Sequence, residues 1–396
     1  MARAGQAGAE LNTVTDGIEA IISAGATIVT SPVQGSRYAW KMTSASGGGA
    51  VSAYARFAHA NSTGAEIFYK FDFYTDSSSS IWLCQFAFDS TKRGGIRFTG
   101  GTLQLATGIS SGVGSASVSV TLNTWHTVLC SFDAATGNGE FYLDGVFVDN
   151  ENLVAGGLNI DNIYLGQFQP VNSIIHFDNL IVNDTTGSSE TGYPNANERL
   201  VYLRPNAVMT EAPTVGGAGA EYFRTSGGGD GSGTTANWAE VEEISPDDDT
   251  SYVRKNANES NRDWYPIEDI ATVGYPAAGD TVNVIAVGGR IGGNGTTDRF
   301  FRYLYETAAA GVGIQRSGDL NANANAYFMY DVNDLTTRPP FISYLSGVKG
   351  SNLDGYQIGW EADDANARLI KGSTFWLEVS YIPSSVRMLA STGVGT

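Results

Sequence analysis

Cysteine, histidine and positive charge are all scarce in this chain of 396 residues, which has 2 cysteines, 3 histidines, and 23 basic residues against 41 acidic ones. Each scarcity removes a class of function. Two cysteines cannot build the disulfide framework that supports small secreted domains. Three histidines, with no HExxH, no paired His spacing and no CxxC, leave little from which to build a transition-metal centre. A net charge of −18 opposes phosphate backbones, which are gripped by clustered Lys and Arg, so no nucleic-acid partner is expected. No apolar run reaches the roughly 18 residues of a membrane-spanning helix, so no membrane partner is expected. The opening MARAGQAGAELNTV lacks the apolar stretch of a secretory signal, and the expectation is a chain made in a cytoplasm.

What is present points to β-structure. Glycine accounts for 49 residues and aromatics for 11%, while only 16% of the chain is charged. Ser, Thr, Asn and Gly supply most of the remaining polarity, which suits many turns and a neutral polar surface. The length allows two domains, each with a sizeable core. Alternating apolar and polar residues recur over 25–183, as in EIFYKFDFY, IWLCQFAF, TLQLA, WHTVLCSFD, GEFYLDG and IIHFDNLIV. Asp144–Gly145, between FYL and VFV, is the strongest two-residue hairpin signal, and Gly100–Gly101 is a second. Cys84 and Cys130 sit mid-strand among apolar residues. They read as two buried thiols, with a bridge between neighbouring strands as the alternative.

Residues 184–199, NDTTGSSETGYPNANE, have almost no apolar content and read as a linker. Strand patterns resume in RLVYLRPNA, TVNVIAVGGR, RFFRYLYE, YQIGWEA and STFWLEVSYI. The expected organisation is an arm over 1–7, a sandwich over 8–185, a linker over 186–199, a second sandwich over 200–384 and a tail over 385–396. The fold class expected is all-β, with two antiparallel β-sandwich domains.

Several segments together carry a family resemblance: GAELNTVTDG, ATIVTSPVQGSRYAWKM, NTWHTVLCSFDAATGNGEFYLDGVFV and the closing IIHFDNLIVNDTTGS. Their order resembles the laminin-G-like (concanavalin-type jelly-roll) front domain of bacteriophage virion proteins. The later VYLRPNA, NWAEVEEISPDDDTSYV, GYQIGWEADDANARL and STFWLEVSY look like the sandwich that often follows. The resemblance implies a non-enzymatic structural or surface-display role on the outside of a virion, as capsid decoration or as part of a tail or fibre. The partners it implies are capsid or tail proteins and copies of the chain itself, a trimer being the preferred assembly. It carries no catalytic set onto this sequence.

Retaining glycan hydrolysis needs two carboxylates about 5 Å apart, but Glu66 and Asp72 on one strand face are six positions, roughly 20 Å, apart. Glu240, Glu242 and Glu243 read as a solvated sheet face. The glycine runs 226–233 and 288–295 lack the GKS/T ending of a phosphate loop and read as loops. Asp247, Asp248 and Asp249 crowd three carboxylates into one turn, a candidate calcium site, although a capped turn explains them as well. Asp161 and Asp178 form a second candidate pair for such an ion. Trp264 and Tyr265, in the polar context NRDWYP, are the candidate exposed pair for stacking on a sugar or docking a partner. His126 and His176 read as packed strand residues. Two readings of function follow: a virion structural protein, or a carbohydrate-binding adhesin module that recognises a cell-surface glycan.

Overall fold

The computed structural model describes residues 3–9, 25–45, 53–59, 66–88, 91–107, 113–154, 159–167, 172–186, 189–206, 224–225, 253–254, 262–293, 300–306, 315–317, 320–321, 327–330, 341–362 and 370–384. Within them strand dominates. The first block contains β1 (Arg3–Ala7), β2 (Ala26–Val29), β3 (Ala39–Ser44), β4 (Ala53–Ala58), β5 (Glu66–Thr75), β6 (Ile81–Phe88) and β7 (Thr91–Thr99). It continues with β8 (Thr102–Thr107), β9 (Val113–Ser119), β10 (Trp125–Asp133), β11 (Asn138–Leu143), β12 (Val146–Asn152), β13 (Asn162–Gln167) and β14 (Ser173–Asp184). They form an eight-stranded antiparallel sheet, β12-β11-β10-β5-β14-β3-β2 with β1 on β14, and a six-stranded sheet, β4-β13-β6-β7-β8-β9.

The period-2 pattern explains why the two sheets stack. Along β5, Ile67, Tyr69, Phe71 and Phe73 face one way into the first core, and Val128, Cys130 and Phe132 of β10 do the same. Rings cross the gap between sheets. Tyr69 stacks on Phe86 with centroids 5.4 Å apart, Phe86 meets Phe132 at 5.6 Å, and Trp40 meets Phe57 edge-on at 5.1 Å. Cys84 and Cys130 are both free and buried in this core, on facing sheets. The thiol of Cys130 is pushed well above its ordinary value, first by burial and then by Cys84.

The second block holds β15 (Arg199–Leu203), β16 (Arg224–Thr225), β17 (Val253–Arg254), β18 (Arg262–Pro266), the single helical turn α1 (Ile270–Val273), β19 (Thr281–Gly293) and β20 (Phe300–Glu306). It closes with β21 (Gln315–Arg316), β22 (Leu320–Asn321), β23 (Tyr327–Tyr330), β24 (Phe341–Lys349), β25 (Gln357–Ala362) and β26 (Ile370–Ile382). Its sheets run β16-β17-β26-β19-β23, with β15 on β26 and β24 on β19, and β18-β25-β20-β21, with β22 on β20. Phe375 of β26 is the hub between them. Trp360, Tyr265 and Tyr303 of the opposite sheet pack on it at centroid distances of 5.6, 5.9 and 6.3 Å. The fold class is therefore all-β, built from antiparallel sheets in sandwich arrangement.

Two expectations are corrected. Residues 3–7, read as an arm, form a strand paired with β14, and Ala4 and Ala7 join the first core. Their small side chains gave no apolar alternation to read. Of the run 288–295, expected as a loop, 288–293 belong to β19. Glycine is needed at 288 for close approach within the sheet, because a Cβ there would lie 2.7 Å from the Trp376 ring. The tail 385–396 lies outside the described residues.

The two hairpin signals do form turns. Asp144 and Gly145 both have positive φ, 51° and 79°, and Leu143 pairs with Val146 across them. Gly100 and Gly101 have φ of 59° and 85° between the pair Thr99 and Thr102. A β-branched residue in such a conformation costs about 1–3 kcal/mol. Gly145→Val is therefore expected to lower the thermal midpoint of the first sandwich. Gly192→Ala, where an added Cβ would meet nothing within 4 Å, is expected to leave it unchanged. Equal shifts in a melting experiment would contradict the turn assignment.

Candidate functional site

The outer face of the eight-stranded sheet carries two features side by side. Near the β11–β12 edge is an aromatic cluster that reaches solvent. Period 2 sends Phe141 and Leu143 inward, so Tyr142 points outward, opposite Phe147 of β12. Their rings meet edge-on at 5.4 Å, and Phe147 and Val146 are 53% and 66% exposed. Tyr193, from the apolar-poor stretch, lies over this face between Tyr142 (5.3 Å) and Phe68 (4.9 Å). Its hydroxyl reaches Ser131 at 3.0 Å and donates to Glu140 at 2.9 Å. Glu140 also accepts from Asn150 at 3.0 Å. Burial, then the hydrogen bond to Glu140, raises the Tyr142 phenol, so it remains a neutral donor at physiological pH. Burial first, and then the charges of Asp133 and Glu140, push the Glu66 carboxyl up. Exposed ring surface beside carboxylate and amide oxygens is the chemistry that meets a sugar, whose C–H faces pack on rings and whose hydroxyls donate.

Further along the same face lies a buried polar seam, covered by the second sandwich. Asp72 accepts from Thr127 at 2.6 Å, Lys70 at 2.7 Å and Asn179 at 2.9 Å, and pairs with Arg199 of β15 at 3.2 Å. Asn179 sits at a bulge in β14 with a φ of 52°. That turn of the backbone lets one amide side chain donate to Asp72 and to the Gln34 carbonyl while accepting from Leu200 N at 2.8 Å. Around it, Arg3 pairs with Glu198 at 2.7 Å with both side chains fully buried. Ser380 also donates to Glu198. Arg37 pairs with Glu268 at 2.7 Å, and the Tyr381 hydroxyl donates to the Gly35 carbonyl at 2.6 Å. Lys70 is lowered to about 8, chiefly by burial, which the charge of Asp72 only partly offsets.

The structure relocates the candidate pair. Trp264 and Tyr265 are 1% and 0% exposed, so the exposed stacking pair is corrected to core. They occupy β18, a strand paired with β25, and Tyr265 faces inward onto Phe375. Trp264 lies opposite Gly359, which leaves room for the indole. Asp247, Asp248 and Asp249 lie outside the described residues, as do Glu240, Glu242 and Glu243. Asp161 and Asp178 are held apart by their roles. Asp161 bridges β4 and β6 through its backbone, bonding His59 N and the Ala87 carbonyl, whereas Asp178 belongs to the seam. Among the described residues no group of three His, Cys, Asp or Glu is placed to hold a metal ion.

Sequence reasoning missed Tyr142, Phe147 and Tyr193. The first two were readable, since the hairpin fixes which side chains point out. Tyr193 was not, because nothing local shows that its stretch folds back on the sheet.

Both described strand histidines are buried, and His126 has a defined partner. Its Nδ1 lies 2.7 Å from Asp144 and its Nε2 2.9 Å from the Thr121 carbonyl. Burial alone would lower its value, but the bonds to Asp144 and Thr121 outweigh it and raise it. The stabilisation is thus complete below the ordinary imidazole value near 6.5 and is lost as pH rises through the raised one. The melting difference between the protein and Asp144→Asn should be largest in mild acid and shrink above neutrality. A pH-independent difference would contradict the pairing. Trp264→Ala should cost about 3–5 kcal/mol of stability, as for other large core truncations. A variant melting like the parent would return Trp264 to the surface.

No protein-family model matches this sequence, and no curated protein matches it. Among solved structures, it is similar to the binding domain of botulinum neurotoxin DC, solved in complex with rat synaptotagmin II. That match has 10% identity, covers 97% of this chain and 99% of the other, and has a TM-score of 0.35. A conserved carbohydrate esterase of the Shiga toxin-encoding bacteriophage phi24B matches at 13% identity over 46% of this chain and 97% of its own, with a TM-score of 0.35. A sialidase matches at 14% identity over 45% of this chain with a TM-score of 0.32, and the chain spans only 19% of that enzyme's length. At such identities and superpositions these likenesses carry no functional argument.

Proposed function

We propose that the chain is a non-enzymatic, glycan-binding component of a bacteriophage particle, displayed on its exterior as capsid decoration or in a tail or fibre. The observation that supports binding is the aromatic cluster of Tyr142, Phe147 and Tyr193, open to solvent beside Glu140 and Asn150 at one edge of a rigid sheet. The carboxylates that a glycanase would need in this region have other roles. Asp72 is enclosed by four partners, and Glu66 lies six positions away at the far end of β5. The virion setting rests on the resemblance of the sequence to phage structural proteins and on the strongly acidic composition, which favours solubility on a crowded exterior. Capsid or tail proteins and further copies of the chain, assembled as a trimer, are the partners this reading implies.

Glycan-array binding with the Tyr142→Ala/Phe147→Ala double variant tests the site. We expect a hit whose affinity falls at least about tenfold in the variant, equivalent to about 1.4 kcal/mol, with an unchanged melting curve. Quantitative mass spectrometry of purified particles should recover the chain at fixed stoichiometry with the capsid. Absence of any glycan hit, together with absence from virions, overturns the reading.

A further inference from the structure

We propose that a single proton secures the seam between the two sandwiches: in the folded protein in mild acid the Asp178 carboxyl is protonated and donates to the Ser36 hydroxyl. This goes beyond the glycan reading and does not depend on it.

The hydrogens available around Ser36 point to this proton. The Ser36 Oγ lies 3.0 Å from the Tyr38 carbonyl and 2.6 Å from Asp178 Oδ2. A hydroxyl carries one hydrogen, and a carbonyl can only accept. If Ser36 donates to Tyr38, the short contact to Asp178 needs a hydrogen from the carboxyl. The remaining bonds of Asp178 allow this. Its Oδ2 accepts from Gln34 N at 3.0 Å and its Oδ1 from Asn179 N at 2.7 Å, leaving the Oδ2 hydrogen free to point at Ser36.

A charge count agrees. Asp178 and Asp72 are fully buried and face each other across β14 and β5. The charged groups around Asp178 are Asp72 and Lys70 from β5, Arg199 from β15, Arg37 with its partner Glu268 at the covering loop, and His176 with Lys41 further along the face. Among the described ion pairs, Lys70 and Arg199 both go to Asp72, at 2.7 and 3.2 Å, and Arg37 goes to Glu268. An ionised Asp178 would be a second buried anion with its nearest cations already committed, a state that carboxyl groups avoid by keeping their proton. Burial first raises Asp178 to about 7, with Asp72 adding to the rise and the donor Gln34 N opposing it; a Ser36 hydroxyl that donated to the carboxyl would oppose it as well.

The position gives the proton its consequence. The loop that supplies Gln34 N and Ser36 also supplies the Gly35 carbonyl that takes the Tyr381 hydroxyl of the second sandwich. The next residue, Asn179, takes Leu200 N. Ionising Asp178 places two carboxylates side by side beneath both contacts. Because the folded state holds the proton more tightly than the unfolded chain, this group's contribution declines as pH rises from the ordinary carboxylate value near 3.9 to about 7 and is flat above.

Infrared difference spectroscopy tests the proton directly. At a pH of about 6 the protein should show a protonated-carboxyl band that Asp178→Asn lacks and that titrates away near neutrality. Absence of the band overturns the proposal. Ser36→Ala supplies a sign test that survives if Asp178→Asn fails to fold. If Asp178 donates to Ser36, removing the hydroxyl lowers the titration midpoint. If Asp178 is an anion accepting from Ser36, removing it raises the midpoint, and the proposal falls. Hydrogen exchange reads the seam. Protection of Gln34, Asn179 and Leu200, corrected for intrinsic rates, should fall on the order of tenfold relative to Cys130 between pH about 6 and about 9. Protection that stays level across that range also overturns it.

Discussion

Asp72 gathers side chains from four segments at one buried carboxylate: Thr127 of β10, Lys70 of its own strand, Asn179 of the β14 bulge and Arg199 at the start of the second sandwich. Such a group tolerates no missing partner, since breaking a buried charged pair costs about 3–5 kcal/mol. The inner face of β5 would form a core with any matching sheet. Its outer face, with Lys70 and Asp72 inaccessible to water, exists only because a second body covers it. The polar seam thus sets where the second sandwich sits, and each contact in it is directional. An apolar interface of equal size would tolerate sliding, whereas charged and amide groups with fixed hydrogen-bond geometry do not.

That coverage also shapes the remaining surface. The second sandwich and the stretch 189–198 occupy the middle of the outer face, and the β11–β12 edge stays open. Tyr193 marks the border between the two, held by Ser131 and Glu140 on one side and packed against Tyr142 on the other. Tyr142 is consequently held among neighbours, and Phe147 projects from a hairpin whose turn is anchored through Asp144 to His126 and Thr127 N. Side chains fixed in this way lose little freedom when a ligand packs on them, which favours binding.

Much of the fold was legible from the sequence because the inner faces obey a period of two and the hairpin dipeptides demand positive φ. Asp144–Gly145, β5, β10 and β26 could be read on those grounds alone. The polar seam could not. Asp72, Asp178 and Arg199 lie on separate strands, and their meeting depends on register and on a bulge whose positive-φ residue, Asn179, looks unremarkable in FDNLIV. Trp264 and Tyr265 misled for a related reason. Polar neighbours in sequence do not fix surroundings in space, and pairing of β18 with β25 leaves both rings buried. Arg3–Ala7 was missed because alanine and glycine show no amphipathic pattern even where they are fully buried.

The two sandwiches are held as one body by a buried polar face with charged pairs centred on Asp72 and Glu198. Differential scanning calorimetry at neutral pH tests this most directly. A single transition with equal calorimetric and van't Hoff enthalpies is predicted, separating into two when Asp72→Ala removes the carboxylate at the centre. Two independent transitions in the unmodified protein would show that the seam does not couple the halves and would contradict the account.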